Sequence, residues 1–110
     1  MANAYKVLGQ VAPSATTDTT LYTVPAATEA VISTIVVANR AAADATYDIA
    51  IRPDGDTLAN EHYIAKTVTV GASDSTTITL GLTLNAADVV TIQASNADLS
   101  FNIFGSEITA

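Results

Sequence analysis

The chain has 110 residues and a formal net charge of −7 at pH 7, with 49% hydrophobic residues, 14% charged residues and no cysteine. This length suits one domain, residues 1–110, that buries its own core. An acidic surface repels phosphate backbones, so the charge argues against nucleic-acid binding, and the lack of cysteine excludes disulfides, thiolate nucleophiles and sulfur-ligated zinc.

In chain order, β-branched and apolar residues predict about eight short strands separated by turns. The predicted strands cover residues 4–11, 20–24, 31–38, 46–52, 61–70, 76–84, 88–94 and 99–104. The strongest turn signal is Pro53-Asp54-Gly55-Asp56, in which proline presets φ and glycine supplies a positive φ. Gly81, in the middle of the clearest alternating segment, indicates a bulge or a bend.

The longest β-rich run, residues 31–38, is expected to form a central strand. Nearly every residue in it is β-branched or small and apolar, which suits a pleated sheet better than a helix. Apolar residues fall on both sides of the run, so both of its faces should be covered. Residues 40–45 are too few for a helix between strands, and we interpret them as a hairpin loop.

Strict alternation predicts which side chains share a face of their strand. One face carries Tyr47, Ile49 and Ile51, another carries Ile78, Leu80, Leu82 and Leu84, and the last strand turns Leu99, Phe101 and Ile103 inward. Turn signals recur roughly every 8–12 residues, the spacing expected of a sandwich or barrel. We predict an all-β fold, an antiparallel two-layer β-sandwich of about eight short strands, with the jelly roll as one candidate strand order.

The N-terminus offers no basic-plus-apolar leader, and no stretch of about 18 apolar residues predicts a membrane span. We therefore expect a soluble protein that is made in the cytosol and binds no membrane.

His62 is the one histidine of the chain. A catalytic interpretation would pair it with Glu61 or Asp56 and with a serine or threonine nucleophile. No serine lies in a G-x-S-x-G elbow or a comparable signature, so we interpret His62 as a structural residue at a strand edge, beside Tyr63. The sequence accordingly predicts no enzyme.

Three carboxylates, Asp54, Asp56 and Glu61, lie close together in one predicted loop. Oxygen ligands of this kind can hold a hard cation such as calcium. The EF-hand spacing fails, however, because Gly55 separates the two aspartates. We interpret the three side chains as solvated turn residues and predict no metal or cofactor, although the pattern leaves a cation at this loop open.

Aromatic residues provide the candidate interface. Tyr22 and Tyr47 lie within predicted strands and are expected to be core residues with bonded hydroxyls. Tyr5 and Tyr63 remain candidates for contacts with another protein. Phe104 joins them, because alternation places it on the face opposite to the inward residues of the last strand.

Three stretches of the chain, LYTVPAATEAVISTIVVANR, GLTLNAADVVTIQAS and LSFNIFGSEI, resemble small β-sandwich virion proteins of tailed bacteriophages. In that group a strand ending in Y-x-V-P leads into a β-rich run ending in asparagine. A later L-x-x-x-D-x-[VI] precedes a C-terminal strand ending in G-x-E. The matching positions are Tyr22, Val24, Pro25, Asn39, Leu84, Asp88, Val90, Gly105 and Glu107.

The resemblance implies a non-enzymatic structural protein of the phage particle, made in the host cytoplasm and located in the virion. Within that group we expect a capsid decoration (cement) protein that stabilises the head by protein–protein contacts. Its partner would be the major capsid protein, or a tail protein, and self-association into trimers would match the three-fold positions of capsids. Two alternatives stay open: a tail, baseplate or fibre accessory protein, and a carbohydrate-binding β-sandwich module.

Overall fold

A computed structural model describes residues 2–79 and 81–109 of the chain. The strands are β1 (Ala2–Val11), β2 (Thr19–Thr23), β3 (Thr28–Asn39), β4 (Ala45–Arg52), β5 (Tyr63–Val70), β6 (Ser75–Ile78), β7 (Leu82–Leu84), β8 (Val89–Ala94) and β9 (Leu99–Thr109). Two short 3-10 turns, Pro53–Gly55 and Asn60–His62, lie between β4 and β5. Within the same residues, no helix has the length and apolar character needed to cross a membrane.

The strands form two antiparallel sheets. Sheet I has the order β1-β9-β3, and β6 and β7 share the remaining edge of β3. Sheet II has the order β2-β8-β4-β5. If β6 and β7 are counted together as strand 6, then β8 becomes strand 7 and β9 becomes strand 8. The two sheet orders then read 1-8-3-6 and 2-7-4-5, which is the arrangement of a jelly roll. The predicted two-layer all-β sandwich is therefore confirmed.

The core lies between the inner faces of the two sheets. Its largest fully buried side chains come from both layers: Ile32, Ile35, Val37, Leu99, Phe101 and Ile103 from sheet I, and Ile49, Val70, Val90 and Ile92 from sheet II. Tyr47 of sheet II meets Phe101 of sheet I edge to face, with 6.2 Å between ring centroids. The inward positions predicted for the last strand are confirmed.

The long β-rich run is a central strand, as predicted, because β3 pairs with β9 on one edge and with β6 and β7 on the other. Within one copy of the chain, the prediction that both of its faces are covered is wrong. Ile35 and Val37 are buried, whereas Ser33 is exposed and Val31 and Val36 are only half-buried. Sheet II covers one face of sheet I, and the side chains of Val31, Ser33 and Val36 lie on the other face.

Residues 40–45 do not form the predicted hairpin loop. They lead from β3 in sheet I to β4 in sheet II, so the chain crosses between layers here. The Asn39 side chain holds the crossing: its amide donates to the Ala43 carbonyl (2.8 Å) and its oxygen accepts the Ala41 N–H (2.9 Å). A pattern of alternation shows where a strand ends but not which sheet the next strand joins.

Several predicted strand boundaries also change, and β3 begins at Thr28, three residues earlier than predicted. The segment predicted as one strand, 76–84, is divided into β6 and β7, and Gly81 between them has a positive φ of 62°, so the predicted irregularity at Gly81 is confirmed. The prediction that Leu80 shares a face with Ile78, Leu82 and Leu84 falls on a residue outside the described ones. Glu61 and His62 belong to a 3-10 turn before β5, and the last strand continues beyond residue 104 to Thr109.

The continuation of β9 depends on Gly105. This glycine pairs with Lys6 of β1 and Ile32 of β3, and a Cβ built on it would overlap the carbonyl oxygen of Val31. The backbones of β3 and β9 therefore approach each other at this point more closely than any side chain allows.

Replacing Gly105 with alanine is expected to lower the free energy of unfolding by about 1–3 kcal/mol, because the new methyl group collides with a backbone atom held in the sheet. Gly71→Ala is the matched control. Its added Cβ would meet Asp74 at 3.7 Å, an ordinary contact, so we expect no loss and a gain of up to about 1 kcal/mol. Urea unfolding followed by far-UV circular dichroism measures both, and equal effects would contradict the observed register of β9.

Candidate interaction surface

The outward side of sheet I holds two of the three predicted interface residues. Tyr5 lies on β1 and Phe104 lies on β9, and the antiparallel register pairs Tyr5 with Ser106 and Val7 with Phe104. Directly opposed residues share a face of a sheet. These four side chains therefore point away from the core, whereas Ile103, the neighbour of Phe104 in the chain, is buried in it.

We call this surface the outer face and define it by the outward side chains of three neighbouring strands. They are Asn3, Tyr5, Val7 and Gln10 of β1, Ser100, Asn102, Phe104, Ser106 and Ile108 of β9, and Glu29, Val31, Thr34, Val36 and Ala38 of β3. Among these described residues Glu29 is the one carboxylate, although the whole chain has 11 acidic residues. Two cations border the face: Lys6 is in the lining of its groove, and Arg40 donates to the Ser100 hydroxyl (3.0 Å). Apolar and neutral polar groups with few charges are typical of the centre of a protein interface.

Two β-bulges shape a groove on the outer face around Phe104. The register of β1 shifts after Val7, and the register of β3 shifts after Ile32. A bulge bends its strand and increases the local twist, so the strands on both sides of Phe104 are bent. Ser33, in the β3 bulge, donates its hydroxyl to the Phe104 carbonyl (3.2 Å). The groove has a volume of about 510 Å³, and its lining includes Tyr5, Val7, Val31, Ser33, Phe104 and Ser106.

Tyr5 and Val7 stand beside this groove with unusual exposure for large apolar side chains. Tyr5 is 82% exposed and Val7 is 48% exposed, while Phe104 is half-buried. Sequence analysis missed Val7 and Val31. Alternation along β1 places Val7 on the face of Tyr5, a signal that could have identified it, but no local pattern connects Val31 of β3 with them. The groove offers mainly apolar contact, and Lys6, which is also in its lining, is paired with the Glu107 carboxylate.

Beneath this region, on the inner side of sheet I, Glu107 connects the two sheets. Its carboxylate accepts the Tyr22 hydroxyl of β2 (2.6 Å) and is paired with the Lys6 ammonium group of β1 (2.6 Å). Lys6 and the Tyr22 hydroxyl both donate to the carboxylate, so the pKa of Glu107 is held below its usual range. Burial, together with this bond, raises the pKa of the Tyr22 phenol.

Tyr63, the third predicted interface residue, lies apart from the other two. It begins β5 at the edge of sheet II, and the Lys66 ammonium group lies 4.7 Å from the centre of its ring. Lys66 also donates to the buried Asp48 carboxylate (3.1 Å), and this hydrogen bond raises the pKa of Lys66. The Tyr63 ring thus already contacts a cation of its own chain.

His62 is buried in the second 3-10 turn and not at a strand edge. Its Nδ1 atom accepts the backbone N–H of Ala59 (3.0 Å), which closes the turn. Among the hydrogen bonds of residues 2–79 and 81–109, none joins His62 to Glu61, Asp56 or a hydroxyl side chain. The structure therefore gives His62 a structural contact and does not bring together the grouping that a catalytic interpretation would need.

The carboxylates of the loop before β5 are placed by backbone contacts. Arg52 donates to the carbonyls of Gly55 (3.0 Å) and Asp56 (2.7 Å), and the backbone N–H of Asp54 donates to the Asp88 carboxylate (2.8 Å). In the part of the chain that the structure describes, no three His, Cys, Asp or Glu side chains are grouped to hold a metal ion. Asp54, Asp56 and Glu61 do not form such a group.

The residues that carry the phage resemblance make contacts that define the fold. Tyr22 binds Glu107, and Asn39 holds the crossing between the sheets. Asp88 accepts the backbone N–H groups of Asp54 and Asn85 (2.8 Å each), and Gly105 allows two backbones to approach. The remaining matching residues with buried side chains are Val24, Leu84 and Val90.

No protein-family model matches the chain, and no curated protein matches it. The resemblance to virion proteins of tailed phages therefore stays a prediction that rests on the residues quoted for it. Eight of the nine positions of that resemblance contribute to architecture, and the ninth, Pro25, is exposed. The outer face of sheet I is the candidate surface for contact with another protein.

The lowered pKa of Glu107 predicts a specific dependence of stability on pH. A carboxylate whose pKa is lower in the folded state stabilises the fold above its unfolded-state pKa, about 4.3, and this contribution is lost as the pH falls through the folded-state value. The difference in unfolding free energy between the wild type and Glu107→Gln should therefore be largest near neutral pH and shrink below about pH 4. Urea unfolding at a series of pH values measures it.

Glu29→Gln is the control for this measurement, because Glu29 is an exposed carboxylate on the neighbouring strand. If both variants differ from the wild type in unfolding free energy by a similar, pH-dependent amount, the contacts of Glu107 with Tyr22 and Lys6 are not the source of the pH dependence.

Proposed function

We propose that the chain is a non-enzymatic structural protein of a bacteriophage particle, and that it decorates the capsid and stabilises the head by protein–protein contacts. The observation that carries this proposal is that the likeness to tailed-phage virion proteins falls on contacts that define the jelly roll. The Tyr22–Glu107 bond, the Asn39 and Asp88 side-chain bonds and the close approach at Gly105 are of this kind. A likeness in such contacts supports a likeness in architecture.

The physical properties of the chain suit this role. Jelly rolls are a common architecture of viral capsid domains. A net charge of −7 keeps free copies soluble and apart before assembly, and the outer face of sheet I supplies an apolar surface with few charges for a protein contact. A tail, baseplate or fibre protein could have the same fold, so the location in the particle is the part of the proposal that experiment must test first.

Mass spectrometry of purified virions of a tailed phage that carries the gene should detect the chain in many copies, and an antibody against it should label heads in electron micrographs. Label on tails alone would contradict the capsid location. Absence of the chain from purified virions would contradict the proposal as a whole.

The stabilising role has its own test. Particles made without the chain should release DNA at a lower temperature than wild-type particles, and addition of the purified protein should restore the release temperature. Equal release temperatures with and without the chain would contradict a stabilising function, even if the chain is present in the virion.

A further inference from the structure

The outer face of sheet I carries a projection and a groove side by side. Tyr5 projects from β1 with 82% of its surface exposed, and the groove of about 510 Å³ begins at its base and extends over Phe104 to Val31 and Ser33. A tyrosine is the kind of large, rigid side chain that anchors protein contacts when it enters a pocket. The two features are complementary in character: an exposed ring and an apolar groove.

The charge distribution indicates which partner can use this face. Two copies of a chain with a net charge of −7 repel each other over most of their surfaces. The outer face is the exception, because Glu29 is its one carboxylate among those described. The two cations beside it, Lys6 in the lining of the groove and Arg40 at the Ser100 hydroxyl, add no negative charge. On sheet II the outward residues include Asp48 and Arg52 of β4, and Lys66 follows on β5. A second copy meets the least repulsion where two outer faces oppose each other.

We propose that the outer face is a contact between two copies of this chain, related by a two-fold axis, in which Tyr5 of each copy enters the groove of the other. A two-fold contact uses the same patch on both subunits. When that patch carries a projection beside a groove, the projection of each subunit can enter the groove of the other. A ring of three would need the projection and the groove on different sides of the molecule. This inference goes beyond the proposed function, since the contact needs no particle.

The area of the outer face sets the expected affinity of the proposed dimer. The three strands of the outer face, spaced by about 4.8 Å and with about ten residues each at about 3.3 Å, give an area of roughly 480 Å². Two opposed outer faces remove about 950 Å² from water, which is the size of weak and transient protein contacts. We therefore expect a dimer that dissociates on dilution. Its affinity is best measured by sedimentation equilibrium of the purified chain from about 10 μM to about 1 mM.

Two variants remove the two halves of the contact. Tyr5→Ala removes the projection and leaves the groove open over Val31, Ser33 and Phe104. Ser33→Trp fills the groove and keeps the projection. Both positions are exposed, so both variants should fold, which far-UV circular dichroism verifies. Each variant alone is expected to dimerise at least tenfold more weakly than the wild type. Tyr63→Ala, at the far edge of sheet II, is the control and should leave the dissociation constant unchanged.

A mixture of the two variants gives the decisive result. One Tyr5 of the mixed dimer finds an open groove, so Tyr5→Ala and Ser33→Trp together should associate more tightly than either variant alone. The wild-type chain has no tryptophan, so a fluorescence change of the indole on mixing reports the contact directly. A monomer at every concentration, a trimer, a dimer unaffected by Tyr5→Ala, or a mixture no tighter than its components would overturn the proposal. None of these results depends on whether the chain is found in virions.

Discussion

The insertion of β9 between β1 and β3 is the constraint on which the rest of the structure depends. Both neighbours of β9 in the sheet lie far from it in sequence. The register of β9 with β1 and β3 places Ile103 opposite Gly9 and Ile35. A shift by one residue would move every side chain of β9 to the other face. Gly105 opposes such a shift, because only a residue without a Cβ fits against the Val31 carbonyl. The same register sends Glu107 inward to Tyr22 and Phe104 outward to the groove.

Alternation in the sequence was sufficient to predict the class of fold and the inward residues of β9, because a strand with one covered face repeats every two residues. It failed where position depends on partners distant in the chain. The predicted end of the last strand at residue 104 was too early, since Gly105 and the charged Glu107 do not look like strand residues until β1 and β3 enclose them. Residues 40–45 resembled a hairpin loop for the same reason. Which sheet the following strand joins depends on tertiary contacts and not on the local sequence.

The interaction surface was predictable only in part. Tyr5 and Phe104 were identified as separate aromatics, and their proximity follows from the pairing of β1 with β9. The groove between them arises from bulges in two different strands, for which the sequence around Ser33 gives no turn or glycine signal. Tyr63 was an equally good candidate by residue type, but a lysine three positions along the same strand covers its ring. Residue type indicates which side chains suit an interface, while the fold determines which of them are available and adjacent.

β9 therefore divides the molecule into a core on one side and the proposed contact surface on the other. Two phenylalanines on this strand test it directly, because Phe101 is fully buried and Phe104 is only half-buried. Equilibrium unfolding in urea should show that Phe101→Ala lowers the free energy of unfolding by about 3–5 kcal/mol, and that Phe104→Ala lowers it by less than half as much. Equal losses, or a greater loss for Phe104→Ala, would contradict the assignment of the two faces.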